Sequence, residues 1–327
     1  MTQGFDDIPE IALDWHRDGK GAALATVVQT WGSAPRQAGS QLAISGAGEI
    51  AGSVSGGCVE GAVVVEAMDA LQDGRSRILE FGVSDDEAFA VGLACGGTIR
   101  VMVEPVGDQL PEDLLAALCK ARADRRAVAY AVDTENWTRR RAGAGDAGNG
   151  AAHGDRFGSD KSGFEEQTFL AIHNPPLRMA VIGAVHIAQP LMAMARLAGY
   201  DAVLIDPREA FGSAARFPGE TILHDWPDEA LAKRGLDARS AVVTLTHDPK
   251  LDDPAIVAAL RSDVFYLGCL GSTRTHAKRL ARLKEQGFGE DDIARIHAPV
   301  GLDIGAKSPA EIAVAVMAQI TQRLRQG

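Results

Sequence analysis

The stretch "AGSVSGGCVEGAVVVEAM", residues 51–68, sets a single thiol, Cys58, between a Gly-rich turn and an apolar run. Gly52, Gly56 and Gly57 let the chain turn sharply and bring backbone N–H groups close to a ligand. The spacing places Cys58 in the first turn of a helix, where unpaired amides and the positive end of the helix dipole favour thiolate over thiol. A thiolate suits soft chemistry, either sulfur transfer or contact with a soft metal centre. Cys95, in "ACGGT", repeats the arrangement with its own pair of glycines. Two Gly-flanked cysteines point to a shared pocket in which both thiols are candidate reactive groups. Arg36, in "GSAPRQAGS", is a candidate cation for an anionic ligand or for lowering a thiol pKa. Each cysteine also has a plainer reading as a small buried residue beside a tight turn. Cys119 and Cys269 take that reading, the first on the apolar side of a helix and the second inside an apolar strand. The four cysteines show neither C-x-x-C zinc spacing nor a secreted disulfide framework.

A second group of candidates lies in the C-terminal half. The turn "VIGAVHIAQP", residues 181–190, stands where a dinucleotide fingerprint G-x-G-x-x-G would fall. Gly183 occupies the first glycine position, Val185 the second and Ala188 the third. A β-branched residue in second place obstructs the approach of a pyrophosphate to the backbone. Asp206 closes the next strand, where an acid would hold a ribose hydroxyl, and Arg208 follows it. "GCLGSTRTHAKR", residues 268–279, ends a strand and opens a helix. Gly271, Ser272 and Arg274 there suit a phosphate, or else form a plain turn with N-caps. In "THDPKLD", residues 246–252, His247 and Asp248 are ligand contacts or parts of an Asx-capped turn.

The elements that position these residues follow from hydrophobic periodicity. Residues 8–18 read as an amphipathic helix, 23–30 as a strand, and 40–45 and 49–54 as a hairpin about Gly46–Gly48. Residues 60–74 read as a helix stopped by Gly74, and 77–83 and 97–106 as strands. Residues 111–124 form a helix with Pro111 at its first position, and 127–133 and 167–173 form strands. The segment 139–163, rich in Gly, Ala, Asp and Ser, reads as a flexible insertion. From Leu177 strands and helices alternate, which implies a doubly wound parallel sheet of Rossmann type. Ser308-Pro309-Ala310-Glu311 is a capping box opening a last helix over 309–325. The expected organisation is therefore α/β, with a mixed α+β domain over 1–174 and a Rossmann-like domain over 175–327.

The bulk composition narrows the function classes. The 327 residues are 46% hydrophobic and 24% charged, with a net charge of −11. An acidic balance argues against non-specific nucleic-acid binding. No run approaches the roughly 20 apolar residues that span a bilayer. "MTQGFDDIPE" has no basic n-region and no apolar h-region, so a cytoplasmic location is expected.

The set "GSAPRQAGS", "GSVSGGCVEG", "ACGGTIRVMVEP", "VIGAVHIAQ", "THD", "LGCLGSTRT" and "PVGLDIGAKSPAEIA", in this order, resembles the XdhC/CoxI family. These are accessory proteins for the maturation of xanthine dehydrogenase and related molybdenum hydroxylases. The resemblance runs nearly end to end. It implies that the chain binds molybdenum cofactor, a molybdopterin, supports its sulfuration with a cysteine desulfurase, and delivers it to an apo molybdenum hydroxylase of the xanthine dehydrogenase type. On that reading Cys58 contacts the molybdenum centre and Arg36 meets the pterin phosphate. The chain would be a chaperone more than a catalyst, and a homodimer is entertained. Many members carry G-A-G-H where this chain has Gly183-Ala184-Val185-His186, with His186 a further candidate contact. The competing readings are an NAD(P)-dependent oxidoreductase, which Asp206 favours and Val185 opposes, and a regulatory nucleotide-binding module.

Overall fold

The computed structural model describes residues 7–32, 36–57, 59–83, 97–107, 109–143 and 156–326. They divide into two compact units, 1–175 and 176–327.

The N-terminal unit holds two antiparallel sheets. The first has the order β3-β2-β1-β5-β4, built from β1 (Ala22–Gly32), β2 (Gln41–Ser45), β3 (Ile50–Gly52), β4 (Arg77–Val83) and β5 (Gly97–Pro105). Its apolar residues run almost unbroken along β1 because both faces are covered. Ala22, Leu24 and Val28 join one core with helix α1 (Ile8–Arg17), whereas Ala23, Ala25 and Val27 join a second core with helix α2 (Glu60–Asp73). Gly74 ends α2 in the left-handed conformation. Helix α3 (Glu112–Ala123) follows, with Pro111 as its N-cap rather than its first helical residue; the extended ψ of 135° keeps Pro111 outside the helix.

The second sheet has the order β7-β6-β9-β8, with β6 (Val128–Asp133), β7 (Arg139–Gly143), β8 (Gly163–Glu165) and β9 (Thr168–His173). Both ends of the segment expected to be a flexible insertion are therefore strands. The reason is a buried ion pair that composition does not reveal. Arg139 Nε donates to Glu104 Oε1 at 2.7 Å, and Tyr130 Oη donates to the same carboxylate at 2.9 Å. Glu104 is 1% exposed, so β7 is tied to β5 and β6 by a group that must be paired once buried. Residues 144–155 of that segment lie outside the described residues.

The C-terminal unit is one parallel sheet with the order β12-β11-β10-β13-β14-β15. Its strands are β10 (Arg178–Ile182), β11 (Asp201–Ile205), β12 (Thr221–Leu223), β13 (Ser240–Thr244), β14 (Tyr266–Cys269) and β15 (Ile296–His297). Within the unit this is the Rossmann order 3-2-1-4-5-6, whose switch point falls between β10 and β13. Helices α4 (Ala188–Leu197) and α9 (Pro309–Gln326) cover one face. Helices α5 (Pro227–Arg234), α6 (Pro249–Leu260) and α7 (Thr273–Glu285) cover the other, and the short α8 (Glu290–Ala294) precedes β15. The capping box of α9 is formed: the amides of Lys307 and Ser308 both donate to Glu311 at 2.8 Å.

Candidate functional site

The Gly-rich turn before α2 gathers backbone amides, and they converge on Glu60. The Glu60 carboxylate accepts from the amides of Val54, Ser55 and Gly56 at 3.2, 2.9 and 3.1 Å, and from Gly57 at 2.8 Å. The Ser53 hydroxyl adds a bond at 2.7 Å, and the Ser55 hydroxyl adds another. Burial alone would raise this carboxyl, but the serine hydroxyls and the Ser55 amide outweigh it and hold it at about 2. Gly57 turns with φ +119°, a conformation that a β-carbon disfavours. The sequence reading offered these amides to a thiolate or ligand; the structure gives the amides of Gly56 and Gly57 to an internal anion. Helix α2 begins at Glu60, two positions beyond Cys58. Cys58 and Cys95 lie outside the described residues. Arg36 is half-buried and has no ion pair or side-chain hydrogen bond among the described residues. No group of three or more His, Cys, Asp or Glu side chains suited to a metal ion occurs among them either. Cys119 is half-buried against the core and burial pushes its thiol up to about 12; Cys269 is fully buried and pushed up to about 11. In both, burial disfavours the thiolate form.

At the switch point of the C-terminal unit the usual dinucleotide contacts are already engaged. Asp206 is fully buried. Its Oδ2 accepts from the Ala184 amide at 2.8 Å and from Arg208 Nη2 at 2.7 Å, and its Oδ1 accepts from the Arg208 amide and Nε at 3.0 and 2.8 Å. Burial would raise this carboxyl; the Arg208 guanidinium and the two amides overcome that and hold it below the ordinary carboxylate range. Asp206 thus braces the Gly183 turn from within, and Arg208 spends its fork on Asp206 while lying 4.2 Å from the Phe211 ring centre. Gly183, at φ +103°, is required by a close approach: a β-carbon there would stand 2.3 Å from Thr246 Cγ2. Val185 is half-buried and packs into the core beneath α4, while His186 is exposed.

The carboxyl ends of β13 and β14 carry the more open geometry. His247 holds a left-handed φ of +62°, a strained backbone of the kind found at ligand sites. Its amide donates to Asp252 Oδ2 at 3.1 Å, and Thr246 Oγ1 donates to Asp252 Oδ1 at 2.7 Å. Burial pushes the Asp252 carboxyl up, and these bonds offset that only in part. Asp248 caps α6 by accepting from the Lys250 amide at 3.0 Å. Beyond β14, Ser272 caps α7: its hydroxyl accepts from the Thr275 amide at 3.2 Å. Gly271 at φ +141° brings this turn beside His247. The two loops enclose a cavity of about 240 Å3 whose lining includes His247, Arg274, Thr275, Lys278 and Arg279. The structure therefore sets Gly271 and Arg274 beside His247, which the sequence singled out separately, and adds Lys278 and Arg279, which it did not single out.

Strand order and site define a class: a two-unit protein whose C-terminal unit is a Rossmann fold with a cationic cavity at its carboxyl edge and a braced glycine turn. Comparison with known proteins narrows it. The family model described as XdhC Rossmann domain matches residues 179–320, and that described as XdhC and CoxI family matches residues 15–82. The molybdenum cofactor insertion chaperone PaoD of Escherichia coli (strain K12) is 31% identical over 327 residues, covering 100% of this chain and 91% of the relative. A Bacillus subtilis (strain 168) protein named as a probable xanthine dehydrogenase subunit is 29% identical, covering 93% of this chain and 94% of the relative. A crystal structure described as a xanthine dehydrogenase from Bacillus halodurans superposes with a TM-score of 0.74 at 25% identity, over 97% of this chain and 96% of the other. The chain belongs to the XdhC and CoxI family. No helix among the described residues is long and apolar enough to cross a membrane.

Proposed function

We propose that this chain binds molybdenum cofactor as cargo, supports its sulfuration, and delivers it to a molybdenum hydroxylase of the xanthine dehydrogenase type. The observation that carries the reading is the likeness to a molybdenum cofactor insertion chaperone over all 327 residues. In this reading the thiols of Cys58 and Cys95 meet the sulfur and the metal, Arg36 meets an anionic group of the cargo, and a cysteine desulfurase supplies the sulfur. Glu60 puts a negative charge at the start of α2, so in this reading any lowering of the Cys58 pKa falls to cations such as Arg36 or to the cargo itself.

The competing oxidoreductase reading needs an acid free to hold a ribose hydroxyl. Both oxygens of Asp206 are already engaged by Arg208 and backbone amides, and Thr246 packs against Gly183. These contacts speak against a dinucleotide in the usual pose. The test is reconstitution of an apo-hydroxylase with cofactor-loaded chain. The parent protein should activate the client, and Cys58→Ser should not, while melting like the parent. Full activation by Cys58→Ser would remove the thiol from the account. A saturable change in NADH fluorescence would restore the oxidoreductase.

A further inference from the structure

Helix α7 has only two fully buried positions, Arg279 and Leu283, and a guanidinium on the buried side of a helix needs a reason. Arg279 is 2% exposed. Its Nη2 donates to the Leu270 carbonyl at 3.1 Å and lies 3.8 Å from Asp252 Oδ2. Its Nε and Nη1 are buried without any hydrogen-bond partner, a costly state for donors on a charged group. The side chain lines the 240 Å3 cavity.

The charges around it do not cancel. Asp253 is held by both nitrogens of the Arg282 fork, at 2.5 and 2.9 Å. Asp252 is engaged by Thr246, by the His247 amide and by Arg279. Arg274 and Lys278 line the same cavity, and their side chains have no ion pair or hydrogen bond among the described residues. By its place at the start of α7, the Arg274 amide also has no acceptor within the helix. The lining thus sets four cations, Arg274, Lys278, Arg279 and Arg282, against two carboxylates, Asp252 and Asp253, and the charges of Arg274 and Lys278 are the two left over.

We propose that this cavity is a binding site for a phosphate monoester dianion. Its oxygens would take the unpartnered donors of Arg279 singly rather than as a fork, since Nη2 is held by the Leu270 carbonyl, with Arg274 and Lys278 closing over the rest. The cavity is smaller than the roughly 300–1,000 Å3 that holds a drug-sized ligand, so it takes a head group while the rest of the ligand lies outside. This places the anion at the ends of β13 and β14 and not at the Gly183 turn. It rests on the cofactor-carrying reading, and it assigns the phosphate of a phosphorylated pterin to the Rossmann unit.

The full chain is titrated calorimetrically at constant ionic strength with inorganic phosphate, adenosine monophosphate and a phosphorylated pterin. Saturable phosphate binding is expected, weakened at least about tenfold in the double variant Arg274→Ala/Lys278→Ala, whose melting without phosphate should match the parent. Arg279→Lys keeps the charge but loses those donors, and should weaken binding by a similar factor. Absence of phosphate binding, or equal binding by the double variant, overturns the site. Tighter binding of the pterin than of the nucleotide supports the assignment to the cargo, and the reverse order overturns that assignment. Failures separate: a chain that retains pterin but ignores phosphate sinks this inference alone, and one that binds phosphate but never carries pterin sinks the functional reading alone.

Discussion

Glu60→Gln is the sharpest test of the turn before α2. Glu60 accepts four backbone amides and two serine hydroxyls, and glutamine presents an NH2 to donors that need an acceptor. A carboxyl held at about 2 in place of 4.5 corresponds to at most roughly 3 kcal/mol favouring the folded, ionised form. Glu60 is only partly buried, so solvent screening reduces this to about 1–2 kcal/mol. For a unit of this size that is a fall of roughly 2–8 °C in melting temperature at pH 7. The sign follows from the depressed pKa: the stabilisation is complete above about 4.5 and is lost as pH falls towards about 2. The difference between parent and variant should therefore shrink between those values. Hydrogen exchange gives a local readout, since the amides of Val54 to Gly57 should lose protection in the variant. Equal melting at pH 7, a gap that persists unchanged at pH 2, or unaltered exchange would refute the reasoning.

Arg139→Met should destabilise the N-terminal unit by about 3–5 kcal/mol, because it strands the Glu104 carboxylate in the core; a chemical denaturation curve with an unmoved midpoint would contradict this. Excising 144–155, which leaves the β7 and β8 ends in place, should cost or gain less than about 1 kcal/mol, since closure entropy changes slowly with loop length, and the same denaturation assay checks it. Val185→Gly should not confer NAD(H) affinity, because Asp206 stays engaged by Arg208 and Thr246 still packs on Gly183; calorimetric binding of NADH by the variant would show that the valine was the obstacle.

Much of the fold is local and was legible. The β-α alternation after Leu177, the Gly74 stop and the Ser308–Glu311 capping box are signals within a few residues, and each forms as read. The strand at 139–143 was not legible, because its anchor is Glu104, 35 residues away, and composition dilutes it in a Gly-rich segment. Asp206 stood out in the sequence as an acid placed to hold a ribose hydroxyl, and in the structure it is paired internally. Arg208 lies two residues on, and an acid followed so closely by arginine is as well placed to be neutralised as to bind ribose. Glu60 left a readable trace: an acid three residues after Gly57 has capping-box spacing and reaches back to the amides before it. Arg279 left one too, as a charge four residues before Leu283 on the face that α7 buries. The cysteines attracted attention by chemistry alone, which says what a thiol can do but not which amides are free to activate it.

Whether the chain carries molybdenum cofactor is read most directly from its cargo. Protein purified from a molybdenum-replete host is assayed for molybdenum by mass spectrometry and for pterin by fluorescence after oxidative release. Pterin and molybdenum should appear together, approaching one of each per chain that binds, with loss of molybdenum but not of chain stability in Cys58→Ser. A chain that emerges with neither, from a host whose hydroxylases are fully loaded, would contradict the cofactor-carrying reading.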